Sequence, residues 1–312
     1  MAKTKIGLLP LYIELYDKSG GRSRMRLEPF YERIAEILEG RGLEVIRSEF
    51  CRLEDEFACT VTRFEQEGAE CIVTLHMAYS PSLESSKILA NTKLPIVVLD
   101  TTETYDFGPE QNKGEISYCH GIHGVMDMCN LLRRNGKPFA IAAGHFECSD
   151  VIDRTIGFVK AACAAKAIEG SRVGIVGDSF DGMGDFFMTD EELFDIFGVT
   201  VVRPTKEELC EIGESITECE IKEEIASDLS SNRLTGDIGQ EIHEISAKTN
   251  LTVRKWIDKA KIDAFTVCFL NVGKEVGLET MPFAEASKAM ARGIGYAGEG
   301  DMLTATFTGA FL

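Results

Sequence analysis

The sequence predicts an α/β protein made of two Rossmann-like units, each a parallel sheet covered by helices. Three observations carry this expectation. Short β-branched runs alternate with longer amphipathic runs along the whole chain, the rhythm of β-α-β units. The 312 residues, 44% of them apolar, are enough for about two domains of roughly 150 residues with filled cores. A long helical segment closes at Gly170, a good helix C-cap, and a new strand follows at once. The boundary between residues 1–170 and the second unit is placed there.

The elements follow in order. Lys5-Ile-Gly-Leu-Leu-Pro-Leu reads as a first strand. From Leu27 to Gly42 the apolar residues Phe30, Ile34, Ile37 and Leu38 recur at helical spacing. Leu43-Glu-Val-Ile-Arg is a second strand and Phe57 to Glu67 a second helix; Cys71-Ile-Val-Thr-Leu is a third strand. A helix from Ser82 to Ala90 precedes the strand Ile96-Val-Val-Leu-Asp, and another from Gly124 to Asn135 precedes Phe139-Ala-Ile-Ala-Ala. The helix Val151 to Glu169 ends the first unit. The second opens with Arg172-Val-Gly-Ile-Val-Gly and continues with Val199-Thr-Val-Val. An acidic helical stretch covers Lys206 to Lys259, Ala264 to Leu270 is the last clear strand, and Phe283 to Arg292 the last full helix.

Composition excludes several classes of function. Asp and Glu outnumber Lys and Arg 51 to 33, for a formal charge of −18. Such a chain repels phosphate backbones, which argues against a nucleic-acid partner. The segment Met1-Ala-Lys-Thr-Lys-Ile-Gly-Leu-Leu-Pro lacks the apolar core of a signal peptide. No apolar run approaches the ~18 residues that span a bilayer, so no membrane partner is expected. The 10 cysteines include no Cys-x-x-Cys pair, and Cys71, Cys163 and Cys268 sit in apolar runs where cysteine behaves as a small hydrophobe. A reduced, cytoplasmic protein is expected.

Four places carry candidate chemistry. Val173-Gly-Ile-Val-Gly-Asp-Ser-Phe-Asp-Gly-Met-Gly is a strand followed by a glycine-rich turn, where ligands of doubly wound sheets bind. Its spacing is not Gly-x-Gly-x-x-Gly, and Asp178 and Asp181 would repel a pyrophosphate, so a tight loop or a neutral sugar site fits better than a dinucleotide. Leu75-His76-Met-Ala-Tyr-Ser-Pro also ends a strand. Its His, Tyr and Ser can hydrogen-bond hydroxyls, or Ser80-Pro81 merely opens the next helix. Cys119-His120-Gly-Ile-His123 and Gly144-His145-Phe hold three of the five histidines. No patterned third ligand accompanies them, so a backbone-satisfied histidine competes with a metal or pocket role. In Gly295-Tyr-Ala-Gly-Glu299-Gly-Asp301 a carboxylate is framed by glycines that allow close backbone approach; an exposed acidic turn is the alternative.

Taken in order, these segments resemble a known family. His76-Met-Ala-Tyr-Ser-Pro, His120-Gly, Ala143-Gly-His145-Phe, Arg172-Val-Gly-Ile-Val-Gly-Asp178 and Met281-Pro-Phe…Met290-Ala-Arg-Gly-Ile-Gly-Tyr-Ala-Gly-Glu299-Gly-Asp301 are similar to the fucose and arabinose isomerase superfamily. The resemblance implies two Rossmann-like domains, here 1–170 and 171–295, and a β-rich C-terminal domain whose start is placed at 296–312. It implies homo-trimers or hexamers that interconvert an aldose and a ketose monosaccharide with a divalent metal, usually manganese. In such enzymes two carboxylates and a C-terminal histidine hold the metal, which polarises the sugar carbonyl while one carboxylate shuttles a proton through an enediol. Glu299 matches the second carboxylate, as metal ligand and catalytic base. His76, His145 and Asp178 are the candidate substrate contacts, and His120 matches a position that approaches a neighbouring subunit's sugar site. Where the family has its first carboxylate this chain reads Phe269-Leu-Asn271; the Asn271 amide can coordinate a metal through its oxygen but is neutral and a poor base, and Glu275, or else Glu279, is the candidate replacement as metal ligand and catalytic group.

Two further expectations stand beside these. The ending Thr308-Gly-Ala-Phe-Leu312 is apolar, uncapped and helical in pattern, which reads as a chain truncated before its site is complete. A non-catalytic cytoplasmic sugar-binding protein on the same two lobes is the alternative function, and a nucleotide-dependent oxidoreductase rests on the glycine turn alone.

Overall fold

In the computed structural model, which describes residues 3–18, 22–234, 236, 238–273 and 275–312, every strand ladder is parallel. The chain divides into two units, Met1–Cys163 and Ala164–Leu312.

The first unit runs β1 (Lys5–Leu11), α1 (Glu14–Lys18), α2 (Arg22–Gly40), β2 (Glu44–Ile46), α3 (Glu54–Gln66), β3 (Cys71–His76), α4 (Ser82–Asn91), β4 (Ile96–Asp100), α5 (Ile116–Cys119), α6 (Gly121–Arg134), β5 (Phe139–Ala143) and α7 (Val151–Ile168), within which it ends. Its strand order is β2-β1-β3-β4-β5. Strand residues alternate between two cores, as a two-residue side-chain period requires. Ile6, Leu8, Val73, Leu75, Val97 and Leu99 pack on one face, while Leu9, Leu11, Ile72, Ile96 and Val98 pack on the other.

The second unit continues with β6 (Arg172–Val176), α8 (Asp190–Phe197), β7 (Thr200–Val202), α9 (Lys206–Glu214), α10 (Glu218–Ser231), α11 (Gln240–Ala260), β8 (Ala264–Val267), α12 (Phe283–Ala291), β9 (Gly295–Gly298) and α13 (Met302–Phe311). Its order, β7-β6-β8-β9, repeats the winding of the first sheet. Phe265, Val267 and Trp256 lead one core; Val173, Ile175, Leu193, Met302 and Ala305 lead the other.

Three differences from the sequence reading have local causes. The acidic stretch 206–259 is three helices, because Thr205 and Thr217 each cap a new one by accepting the N–H of the residue three positions on. Ala264 to Leu270 is shorter as a strand and is not the last one, since residues 269–271 turn into a 3-10 segment and β9 follows. Residues 296–312, placed by the sequence reading at the start of a further domain, lie in β9 and α13 of the second sheet. A Cβ on Gly295 would sit 2.1 Å from the Ala305 carbonyl and 2.4 Å from the Gly309 nitrogen. The missing side chain lets α13 lie directly on the strand, which accounts for its apolar sequence.

A charged network ties α10, α11 and α12 together. The Arg254 guanidinium reaches Glu224 at 2.6 Å and Glu285 at 2.5 Å, and Lys288 bridges Glu224 and Asp228. Glu285 is wholly buried, a position a carboxylate tolerates only with such partners.

Candidate functional site

In a sheet wound 2-1-3-4, ligands bind beyond the carboxyl ends of the strands where the winding reverses. That point falls between β1 and β3 in the first sheet and between β6 and β8 in the second. Each can be built residue by residue.

At the first, β3 ends in His76. Its ring lies under the start of α6, so closely that a Cβ on Gly124 would stand 2.6 Å from its Cδ2 and one on Gly121 2.7 Å from its carbonyl oxygen. Helix α6 can cover the strand end only because those two residues are glycines. The imidazole is buried, with neither ring nitrogen hydrogen-bonded among the described residues. Burial holds its pKa down at about 3, with the Asp127 carboxylate acting in the opposite sense, so it is a buried neutral group.

His120 and His145 lie on the same edge with both nitrogens engaged. The Nδ1–H of His120 donates to the Ile116 carbonyl at 2.7 Å, which leaves Nε2 to accept from the Tyr16 hydroxyl at 3.0 Å. Its ring is parallel to that of Tyr79, with centroids 6.5 Å apart. In His145, Nδ1 accepts the N–H groups of Glu147 and Cys148, so Nε2–H donates to the Glu103 carbonyl at 3.2 Å. In each, the contact to a carbonyl fixes which ring nitrogen carries a proton toward the chain. The structure places all three on one sheet edge, and none presents a free ring nitrogen to solvent. Of the partners of His120, Tyr79 belongs to the segment after β3 that the sequence marked as a candidate, whereas Tyr16 carried no such signal.

The second edge is different. Here the loops after β6, β8 and β9 are knitted by short bonds. Asp178 donates its backbone N–H to Oδ1 of Asn271 at 3.1 Å. Ser179 donates its hydroxyl to the Gly300 carbonyl at 2.9 Å, and Phe180 donates its N–H to the Glu299 carbonyl at 2.8 Å. A Cβ on Gly300 would lie 2.5 Å from the Ser179 Cα. Glu299 itself has φ +62°, a left-handed conformation that a non-glycine residue adopts at a cost and that is concentrated at functional turns. Asp178 and Glu299 are exposed. Phe269, 47% exposed, has its ring 5.6 Å from that of Phe180. Arg203, just after β7, is held by Asp190 at 2.9 Å; its pKa is raised chiefly by that bond, with Asp178 also contributing.

The structure therefore brings Asp178 and Glu299 to one edge and adds Asn271, Arg203, Phe180 and Phe269. Glu275, the candidate first carboxylate, lies exposed in the turn 275–277 beside the bridge from Gly273 to Leu278, while Asn271 holds the place beside Asp178. Glu279 lines a separate groove of about 560 Å³ with Lys206, Lys248 and Thr252.

Part of this chain matches a known family. Residues 191–311, which contain Asn271, Glu275, Glu279 and Glu299, match the model of the L-arabinose isomerase central domain. Over these residues the chain is similar to that family. It is 26% identical over 187 residues to an L-arabinose isomerase of Nocardioides, covering 58% of this chain and 37% of the relative. It is 22% identical over 287 residues to that of Saccharophagus degradans, covering 88% and 54%, and 24% identical over 272 residues to that of Actinobacillus succinogenes, covering 81% and 51%. The chain thus spans about half the length of these isomerases, or less.

The divalent metal implied by the isomerase resemblance can be tested against the donors. On the second edge they are the carboxylates of Asp178 and Glu299 and the amide oxygen of Asn271, which already accepts the Asp178 N–H. Among the described residues no three His, Cys, Asp or Glu side chains are grouped to hold a metal ion. These donors do not by themselves make a metal site. No described helix is long and apolar enough to cross a membrane.

Proposed function

We propose that the protein is an aldose-ketose isomerase acting on L-arabinose or a closely similar monosaccharide, with the carboxyl edge of the second sheet contributing to its sugar site. The observation that carries this reading is Glu299, an exposed carboxylate in a left-handed turn inside the region that matches the isomerase central domain. Interconversion moves one proton between two adjacent carbons and one between their oxygens. A carboxylate fixed at a strand end can take and return the carbon-bound proton, a contribution of about 10²–10⁴-fold. Asp178 and Asn271 offer hydrogen-bonding groups to sugar hydroxyls, and the exposed Phe269 ring an apolar surface for the C–H face.

Assembly as a homo-oligomer is part of the proposal. It is supported by the apolar side chains exposed around His120, namely Ile116, Ile122 and Met126. Sedimentation velocity would show a species larger than the monomer, and a monomer at all concentrations would remove this part.

The decisive experiment offers the natural protein a panel of aldopentoses and 6-deoxyhexoses and follows ketose formation by NMR. Conversion of L-arabinose, abolished in Glu299→Gln with unchanged circular dichroism, is expected. No conversion of any sugar, or full activity in Glu299→Gln, would sink the reading.

A further inference from the structure

The neutral side chain at the second switch point bears on what that edge can hold. We infer that Asn271 makes the carboxyl edge of the second sheet a site for a neutral polyol that needs no divalent cation to bridge it. The inference rests on the sugar reading of this edge and goes beyond it by naming what does the binding.

Affinity for a hard cation such as Mn2+ rises with the number of anionic oxygens converging on it. Two carboxylates, Asp178 and Glu299, are available here, and the guanidinium of Arg203 is near enough to Asp178 to respond to its charge. The third side chain on the edge, Asn271, carries no charge, and its oxygen is engaged by the Asp178 N–H at 3.1 Å. What Asn271 then offers a ligand is an NH2 group with two donors and, on a neutral oxygen, a single remaining lone pair. Donors are unsuited to a cation and suited to the lone pairs of sugar hydroxyls. The Phe180 and Phe269 rings, 5.6 Å apart, add an apolar wall that serves a sugar and is indifferent to a metal ion. Asn271 and the two rings therefore favour the polyol.

The test uses the full chain and two titrations. Mn2+ is titrated calorimetrically into the wild type and into Asn271→Asp, which keeps the shape and the acceptor for the Asp178 N–H while adding a charge. No saturable binding tighter than about 1 mM is expected for the wild type, and at least about tenfold tighter binding for N271D. That gain should vanish when Glu299→Gln is added. L-arabinose is then titrated into the wild type with EDTA and with Mn2+, and affinities equal within about twofold are expected. Tight Mn2+ binding by the wild type, a gain in N271D that survives Glu299→Gln, or sugar binding lost on chelation would each overturn the inference. Sugar bound only with Mn2+ defeats the inference and leaves the sugar reading of the edge standing. No sugar bound under either condition defeats both. The wild-type titrations need no variant, so a folding defect in N271D leaves the inference exposed to refutation.

Discussion

The two sheets share one winding and use their reversal points in opposite ways. At the first, His76 is sealed under α6 by Gly121 and Gly124, and the neighbouring His120 and His145 direct their ring nitrogens to the chain itself. At the second, Asp178 and Glu299 stand exposed while their backbones are pinned by bonds of 2.8–3.1 Å. The difference teaches that polar residues at a switch point are not equivalent to a site. What matters is whether the side chain or only the backbone is consumed in holding the loop. In the first unit the imidazoles of His120 and His145 do the holding, and in the second the main chain, one amide and one hydroxyl do it, leaving carboxylates free for a ligand.

The comparison can be broken by substitution. The largest effect is expected in the second edge, where Glu299→Gln should lower the rate of sugar conversion by about 10²–10⁴-fold with little change in denaturation midpoint. A comparable loss of rate in a first-edge variant such as His145→Ala would erase the contrast. Next in size is Arg254→Ala, which leaves the buried Glu285 and Glu224 facing each other with less compensation. A loss of about 3–5 kcal/mol by urea unfolding is expected, without direct contact to the second edge.

His76 sharpens the comparison through pH. Its folded pKa, about 3, lies below the ordinary value of 6.5, so the unfolded chain binds its proton first as the solution is acidified. Its contribution to stability is therefore complete above pH 6.5 and is lost as pH falls toward 3, by about 1.4 kcal/mol per unit in between. Asp100, raised by burial, acts in the opposite sense, so the comparison must be with His76→Leu, whose stability should lack this acid slope. An identical slope in the two proteins would mean that His76 is not the buried neutral group described here. The smallest effect is expected for the stability of His145→Ala, about 1 kcal/mol for the hydrogen bonds that end its turn, again by urea unfolding.

Much of this architecture was legible in the chain. The strands Lys5–Leu11, Cys71–His76 and Ile96–Asp100 announce themselves as buried parallel strands because they are apolar on both faces. The strand β9 did not, because Gly-Tyr-Ala-Gly has almost no β propensity and is held in place by α13 packing on Gly295. Within the acidic stretch, Thr217-x-x-Glu220 marked a helix start that periodicity alone ran through. Glycine-framed Glu299 was visible as a candidate; its left-handed turn and its bond to Phe180 were not, since both depend on a loop more than a hundred positions away.

By itself, then, the sequence determined that two parallel α/β sheets would form, that neither would attract a polyanion, and that Asp178 would lie at a strand end. These follow from local periodicity, net charge and chain order, which need no knowledge of what packs where. Only the tertiary structure decided that His76 would be buried, that His120 and His145 would bond inward, and that Asn271 rather than Glu275 would stand beside Asp178. Those outcomes depend on which loops meet across a sheet edge and which glycines let a helix close over it, and contacts between residues far apart in sequence settle both.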